Sequence, residues 1–116
     1  MMKVEAVFRP DRLGNVAAEL EQAGFAGFTV SDVRGHGQSP EAKGEWRGQT
    51  YQVHVTHKLT IAIIVEPAEV QHAVAAIIKG ARTGNVGDGL VTVTDLSAVY
   101  QIHTGQPATA GNGAKG

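Results

Sequence analysis

Val4, Ala6 and Phe8 alternate with Lys3, Glu5 and Arg9. This period of two predicts a strand with one buried face, ended by Pro10. Leu13, Val16, Ala17 and Leu20 then fall at i, i+3, i+4 and i+7, which predicts a helix over residues 12–23, capped by Asp11 and stopped at Gly24. Phe28, Val30 and Val33 mark a second strand ending at Gly35. Residues 36–49 are polar and broken by glycines and Pro40, with no period of either kind. Residues 51–55 alternate again, and residues 59–65 are nearly all apolar and β-branched, as in a central strand covered on both faces. Pro67 suits a first helical turn, and Val70, Ala73, Val74, Ile77 and Ile78 trace a second amphipathic helix ending near Gly80. Val91, Val93 and Leu96 suggest a last strand, and residues 97–103 give no clear pattern.

The order β-α-β-β-α-β, with an excursion between the second and third strands, predicts an α+β fold. Two right-handed crossovers of this length build a ferredoxin-like sandwich with both helices on one face. One domain is expected over residues 1–104, with residues 36–50 as a long partner-reading loop and residues 105–116 as a flexible tail rich in Gly, Ala, Pro and Thr. Ile61, Ile63 and Val65 alternate with Ala62 and Ile64, so both sides of the central strand read as apolar. Helices cover only one side, and burial of the other predicts a homo-oligomer.

Composition narrows the function classes. Ten Lys+Arg against eleven Asp+Glu leave a net charge of −1, so general attraction to nucleic acid or anionic membrane is not expected and any anion site must be local. The absence of cysteine excludes disulfides and cysteine metal sites, and it fits a reducing cytoplasm. Neither a signal peptide nor a membrane span is visible, so a soluble cytoplasmic protein without membrane insertion is expected. No nucleophile with a base, and no carboxylate pair at a defined spacing, marks a catalytic centre, so the protein reads as non-enzymatic. Five histidines raise a metal-binding alternative, but His54 and His57 sit three apart on a strand-like stretch, on opposite faces, and are poor co-ligands.

The chemistry-bearing stretch is Thr83-Gly84-Asn85-Val86-Gly87-Asp88-Gly89, whose glycines let backbone N–H groups approach an anion without obstruction. Residues 82–89 resemble the second signature of the PII signal-transduction family, and Trp46-Arg47-Gly48-Gln49-Thr50-Tyr51 resembles its first, at the family's spacing. The opening residues 2–10, the Gly35-x-Gly37 pair and Lys58 extend the resemblance over nearly the whole chain.

That resemblance implies a homotrimer with a nucleotide in each cleft between subunits. It assigns adenine and ribose to Thr29, Gly35, Gly37 and Ile64, and phosphates to Gly87, Asp88 and Gly89. It also implies a 2-oxoglutarate and metal site using Lys58 and the position of Ser39. The long loop would dock on a target such as a membrane transporter or regulatory enzyme, with Tyr51 as a nucleotidylation site. Trp46 stands where the family more usually has tyrosine, and it reads as a partner anchor because large exposed aromatics carry interface energy.

The departures from the family pattern change the expected ligand. Leu90 stands where the family has Lys or Arg, Gln101 and His103 replace two arginines, and Gln38-Ser39 replaces Arg-Gln. A hydrogen bond to a charged group is worth about 1.5–3 kcal/mol, so losing two weakens triphosphate binding by about a hundredfold or more. ADP, AMP or cyclic AMP is therefore expected over ATP, with His103 binding phosphate when protonated. Ser39 cannot hold a metal as a glutamine carbonyl does, which puts a magnesium ion and the 2-oxoglutarate response in question. Lys58 would then serve that dicarboxylate or another small anion, bicarbonate included.

Overall fold

The computed structural model describes residues 1–36, 43–46, 49–52 and 55–108, with backbone alone for 35, 36, 43–46, 49–52 and 55. In order, the chain forms β1 (Met2–Phe8), a 3-10 turn (Pro10–Arg12), α1 (Leu13–Gln22), β2 (Thr29–His36), β3 (Lys43–Trp46), β4 (Gln49–Gln52) and β5 (Val55–Val65). A second 3-10 turn (Pro67–Glu69), α2 (Val70–Ala81) and β6 (Gly89–Asp95) follow. The main sheet has the order β2-β5-β1-β6, with every pair antiparallel, which is the ferredoxin-like arrangement that the element order predicts.

The alternation places Val4, Ala6 and Phe8 of β1 and Leu59, Ile61, Ile63 and Val65 of β5 on the helix-covered face, where they are buried with Val16 and Leu20 of α1 and Ala73 and Ile77 of α2. Each large apolar side chain buried there contributes about 1.5–3 kcal/mol. The helices approach closely at Gly80, where a Cβ would lie 2.6 Å from Val16 Cα.

Several expectations need correction. Asp11 does not cap α1: it is exposed in the preceding 3-10 turn, and the helix start has no side-chain cap bond. Pro10 sets the entry, while Arg12 Nε reaches across to donate to the Gly80 carbonyl at 2.9 Å, close to the C-terminus of α2. Residues 36–49 are not without regular structure, because β3 and β4 pair from Lys43↔Gln52 to Trp46↔Gln49. Four-residue strands are too short for alternation to reveal. Ile78 is 37% exposed rather than in the core, and Leu96 lies past β6, its N–H donating to the Met1 carbonyl.

The second face of the sheet is mixed rather than apolar. Ala62 and Ile64 lie there beside Lys3 and Glu5 of β1, while Ser31 of β2 stands opposite Thr60 and Thr92 of β6 opposite Glu5. Residues 105–108 fold back on the chain, with Tyr100 bridged to Pro107 and the Ala108 N–H donating to the Val99 carbonyl at 2.7 Å.

Candidate functional site

The glycine loop spans residues 83–88, between the end of α2 and the start of β6. Its shape comes from one carboxylate. Asp88 Oδ2 accepts from the N–H groups of Thr83 at 2.8 Å and Gly84 at 2.9 Å, and Asp88 Oδ1 accepts from the Thr83 hydroxyl. The Asn85 N–H donates to Thr83 Oγ1 at 3.3 Å, and the Asp88 N–H donates to the Asn85 carbonyl at 3.3 Å. The Thr83 hydroxyl and N–H, with the Gly84 N–H and the Arg9 guanidinium, hold the Asp88 carboxyl well below the usual carboxylate range, against a smaller opposing effect of desolvation.

Glycine is required in two places by contact as well as by conformation. Gly89 has φ +119°, and a Cβ there would fall 1.7 Å from the Val7 carbonyl oxygen. Gly87 has φ +99°, and its Cβ position is 3.0 Å from Arg9 Nη2. The floor of the loop is thus the end of β1 and the residue after it.

Among the described residues, two cationic side chains reach the loop from distant parts of the chain. Arg9 Nε donates to Asp88 Oδ1 at 3.2 Å and Arg9 Nη2 donates to the Val86 carbonyl at 2.9 Å. Lys58 Nζ, on buried Lys58 of β5, donates to the Gly87 carbonyl at 2.7 Å. The N–H groups of Val86 and Gly87 have no hydrogen-bond partner among the described residues. Two unsatisfied donors on a loop with nearby cations can receive an anion. Beside them runs a cleft of about 360 Å³ lined by apolar residues of β1, α2 and β6, with Arg82, Asp88, Gly89 and Leu90 at its polar end.

Of the residues singled out from sequence, Gly87, Asp88, Gly89 and Lys58 come together here. Leu90 follows on β6, 74% exposed and opposite Val7. Thr29 and Ile64 line a different cleft of about 480 Å³ with Lys3, Gly27, Phe28, Ala62 and Ile63, and the two clefts share none of the described residues. Gly35 pairs with Thr56 near the loop end of β2. Gln101 and His103 lie in the C-terminal turn, where the Gln101 N–H donates to the Gln106 carbonyl at 2.9 Å and His103 is exposed; no hydrogen bond among the described residues joins them to the glycine loop. Tyr51 is in β4, opposite Gly44, and Trp46 ends β3. Gly37, Gln38, Ser39 and His54 fall outside the described residues.

His57 Nε2 lies 2.9 Å from Asp32 Oδ1, in an exposed pair across β2 and β5, and no cluster of three metal-ligating residues occurs among the described residues. Arg9 and Thr83 were not legible as site residues. Arg9 reads simply as the last polar position of an alternating strand, and Thr83 opens the glycine stretch without an assigned role of its own.

Comparison with known proteins agrees over almost the full chain. The family model described as nitrogen regulatory protein P-II matches residues 1–106. A nitrogen regulatory protein P-II of Microchaete diplosiphon is 41% identical over 109 residues, covering 94% of this chain and 97% of that protein. Nitrogen regulatory protein P-II 1 of Methanothermobacter thermautotrophicus is 41% identical over 106 residues, covering 91% of this chain and 92% of its own. The crystal structure of Arabidopsis thaliana PII bound to citrate matches with a TM-score of 0.74 at 34% identity, covering 92% of this chain and 84% of that one.

Proposed function

Because this chain belongs to the nitrogen regulatory protein P-II family, we propose that it is a homotrimeric, cytoplasmic signal-transduction regulator. It binds an adenine nucleotide of low phosphate charge in the clefts between subunits and acts on a target protein through residues 36–50. The observation that carries the nucleotide reading is the pair of N–H groups on Val86 and Gly87 that have no hydrogen-bond partner among the described residues, on a loop already closed by Asp88. Those donors suit one or two phosphate groups. Leu90 follows the loop with no cation, and Gln101 and His103 supply neutral or weakly basic groups, so ADP, AMP or cyclic AMP is bound in preference to ATP. Thr29, Gly35, Gly37 and Ile64 form the adenine side in this reading, and Gln38 borders the phosphates.

No chemical step is assigned: the residues bind, and occupancy is read by the partner as a change in the long loop. Tyr51, in β4 directly after residue 50, is the candidate modification site.

A second reading is favoured by Lys58. Its ammonium meets the loop at the Gly87 carbonyl, beside the open donors, and a relative of the same fold was crystallised bound to citrate. In this reading Lys58 and Ser39 take a small anion, bicarbonate or 2-oxoglutarate, with nucleotide as co-ligand.

Isothermal calorimetry with ATP, ADP, AMP and cyclic AMP, each with and without 2-oxoglutarate, bicarbonate and magnesium, separates the readings. Tighter binding of the less charged nucleotides, unaffected by 2-oxoglutarate, supports the retuned sensor. Micromolar ATP binding strengthened by 2-oxoglutarate refutes it and assigns an ordinary nitrogen sensor.

A further inference from the structure

We propose that Arg9 is a positioning residue of the glycine loop, aiming the Gly87 N–H at a phosphate without itself touching the ligand, and so setting the preference for nucleotide over nucleoside. This rests on the reading of the loop as a phosphate site.

The argument is one of peptide geometry. The Val86 carbonyl and the Gly87 N–H belong to the same planar trans peptide and point in opposite directions. Arg9 Nη2 holds that carbonyl at 2.9 Å, so the Gly87 N–H is turned away from the guanidinium, and it has no hydrogen-bond partner among the described residues. Lys58 cannot serve the same purpose. It holds the Gly87 carbonyl, whose peptide carries the Asp88 N–H, and that group already donates to the Asn85 carbonyl.

Apart from the Lys58 bond to the Gly87 carbonyl, the loop's other bonds among the described residues are local, between residues two to five positions apart, and these leave the Val86–Gly87 peptide free to turn. Arg9 prevents this by crossing 77 positions to Val86 and 79 to Asp88. Its guanidinium also lies against Gly87, where no side chain intervenes.

A purely electrostatic role fits less well. The Asp88 carboxylate 3.2 Å from Arg9 Nε offsets the guanidinium charge, so orientation, more than net positive field, is what Arg9 supplies. An ordinary exposed ion pair contributes little. Here both side chains are largely covered, at 22% and 23% exposure, and the arginine grips two groups in a fixed fork.

The test compares ADP with adenosine by calorimetry on the full chain and on the Arg9→Gln and Arg9→Lys variants, with thermal melts to confirm folding. In Arg9→Gln, ADP affinity is expected to fall about tenfold while adenosine affinity is unchanged, and Arg9→Lys, holding one of the two groups, to fall between. Equal weakening of both ligands, or no change in either, overturns the proposal. If the parent binds neither ligand, the phosphate reading itself is lost, and the positioning claim is then judged by amide exchange. Faster exchange of the Gly87 N–H in Arg9→Gln sustains it, and an unchanged rate sinks it.

Discussion

Lys58 Nζ donates a 2.7 Å hydrogen bond to the Gly87 carbonyl, which ties the middle of β5 to the glycine loop across 29 positions of sequence. The residue that the family resemblance links to a small acid is therefore already part of the glycine loop's support. Lys58→Met keeps the aliphatic stem and removes the donor. ADP affinity should then fall about three- to tenfold in buffer free of bicarbonate and dicarboxylates. Unchanged affinity in that buffer would confine Lys58 to the small-anion site.

The pH dependence of stability follows from Asp88. Its carboxyl is held below the value of about 3.9 that it has in an unfolded chain. Ionised Asp88 thus stabilises the fold above about pH 4, and that contribution is lost as pH falls further towards its folded-state value. Urea midpoints measured from about pH 2.5 to 7 should fall more steeply on the acid side for the parent than for Asp88→Asn, with the two curves parallel above about pH 5.

Two glycines of the same loop should respond differently to alanine. At Gly89 a Cβ would meet the Val7 carbonyl at 1.7 Å, so Gly89→Ala must push β6 off β1. Gly84 has φ +90° with nothing within 4 Å of its Cβ position, so Gly84→Ala carries only the conformational cost of about 1–2 kcal/mol. Chemical denaturation should show a small midpoint shift for Gly84→Ala and loss of the cooperative transition, or a far larger shift, for Gly89→Ala.

Leu90→Lys restores a cation next to the loop. Leu90 is 74% exposed, so the longer polar side chain costs little in folding. ATP affinity should rise by about tenfold at low ionic strength, with a smaller gain for AMP, and the gain should shrink as salt is added. If ATP and AMP gain equally, the substitution is not reaching the terminal phosphates.

The fold was legible wherever periodicity had room to express itself. The alternation of Val4, Ala6 and Phe8, and the helical spacing of Val70, Ala73 and Ile77, each name a buried face that the structure keeps. Short elements were not legible: β3 and β4 are four residues each. Ile78 shares the helical spacing of the core residues but lies at the edge of the apolar stripe, 37% exposed, which spacing alone does not reveal. In the site, glycines and Asp88 announce a loop, but no local pattern encodes a partner 79 positions away, so Arg9 could be found only in three dimensions.

β5 is a single strand, yet its neighbours change along its length. Residues 59–65 are flanked by β1, whereas residues 55–58 pair with residues 33–36 of β2 alone. The sheet therefore extends past β1 as a two-stranded arm leading into the long loop, and Lys58 stands at its root, where β1 ends. A lever pivots at its root. Torque carried along this arm is therefore borne at the bond from Lys58 Nζ to the Gly87 carbonyl, so a load on the far ends of β2 and β5 is felt by the glycine loop.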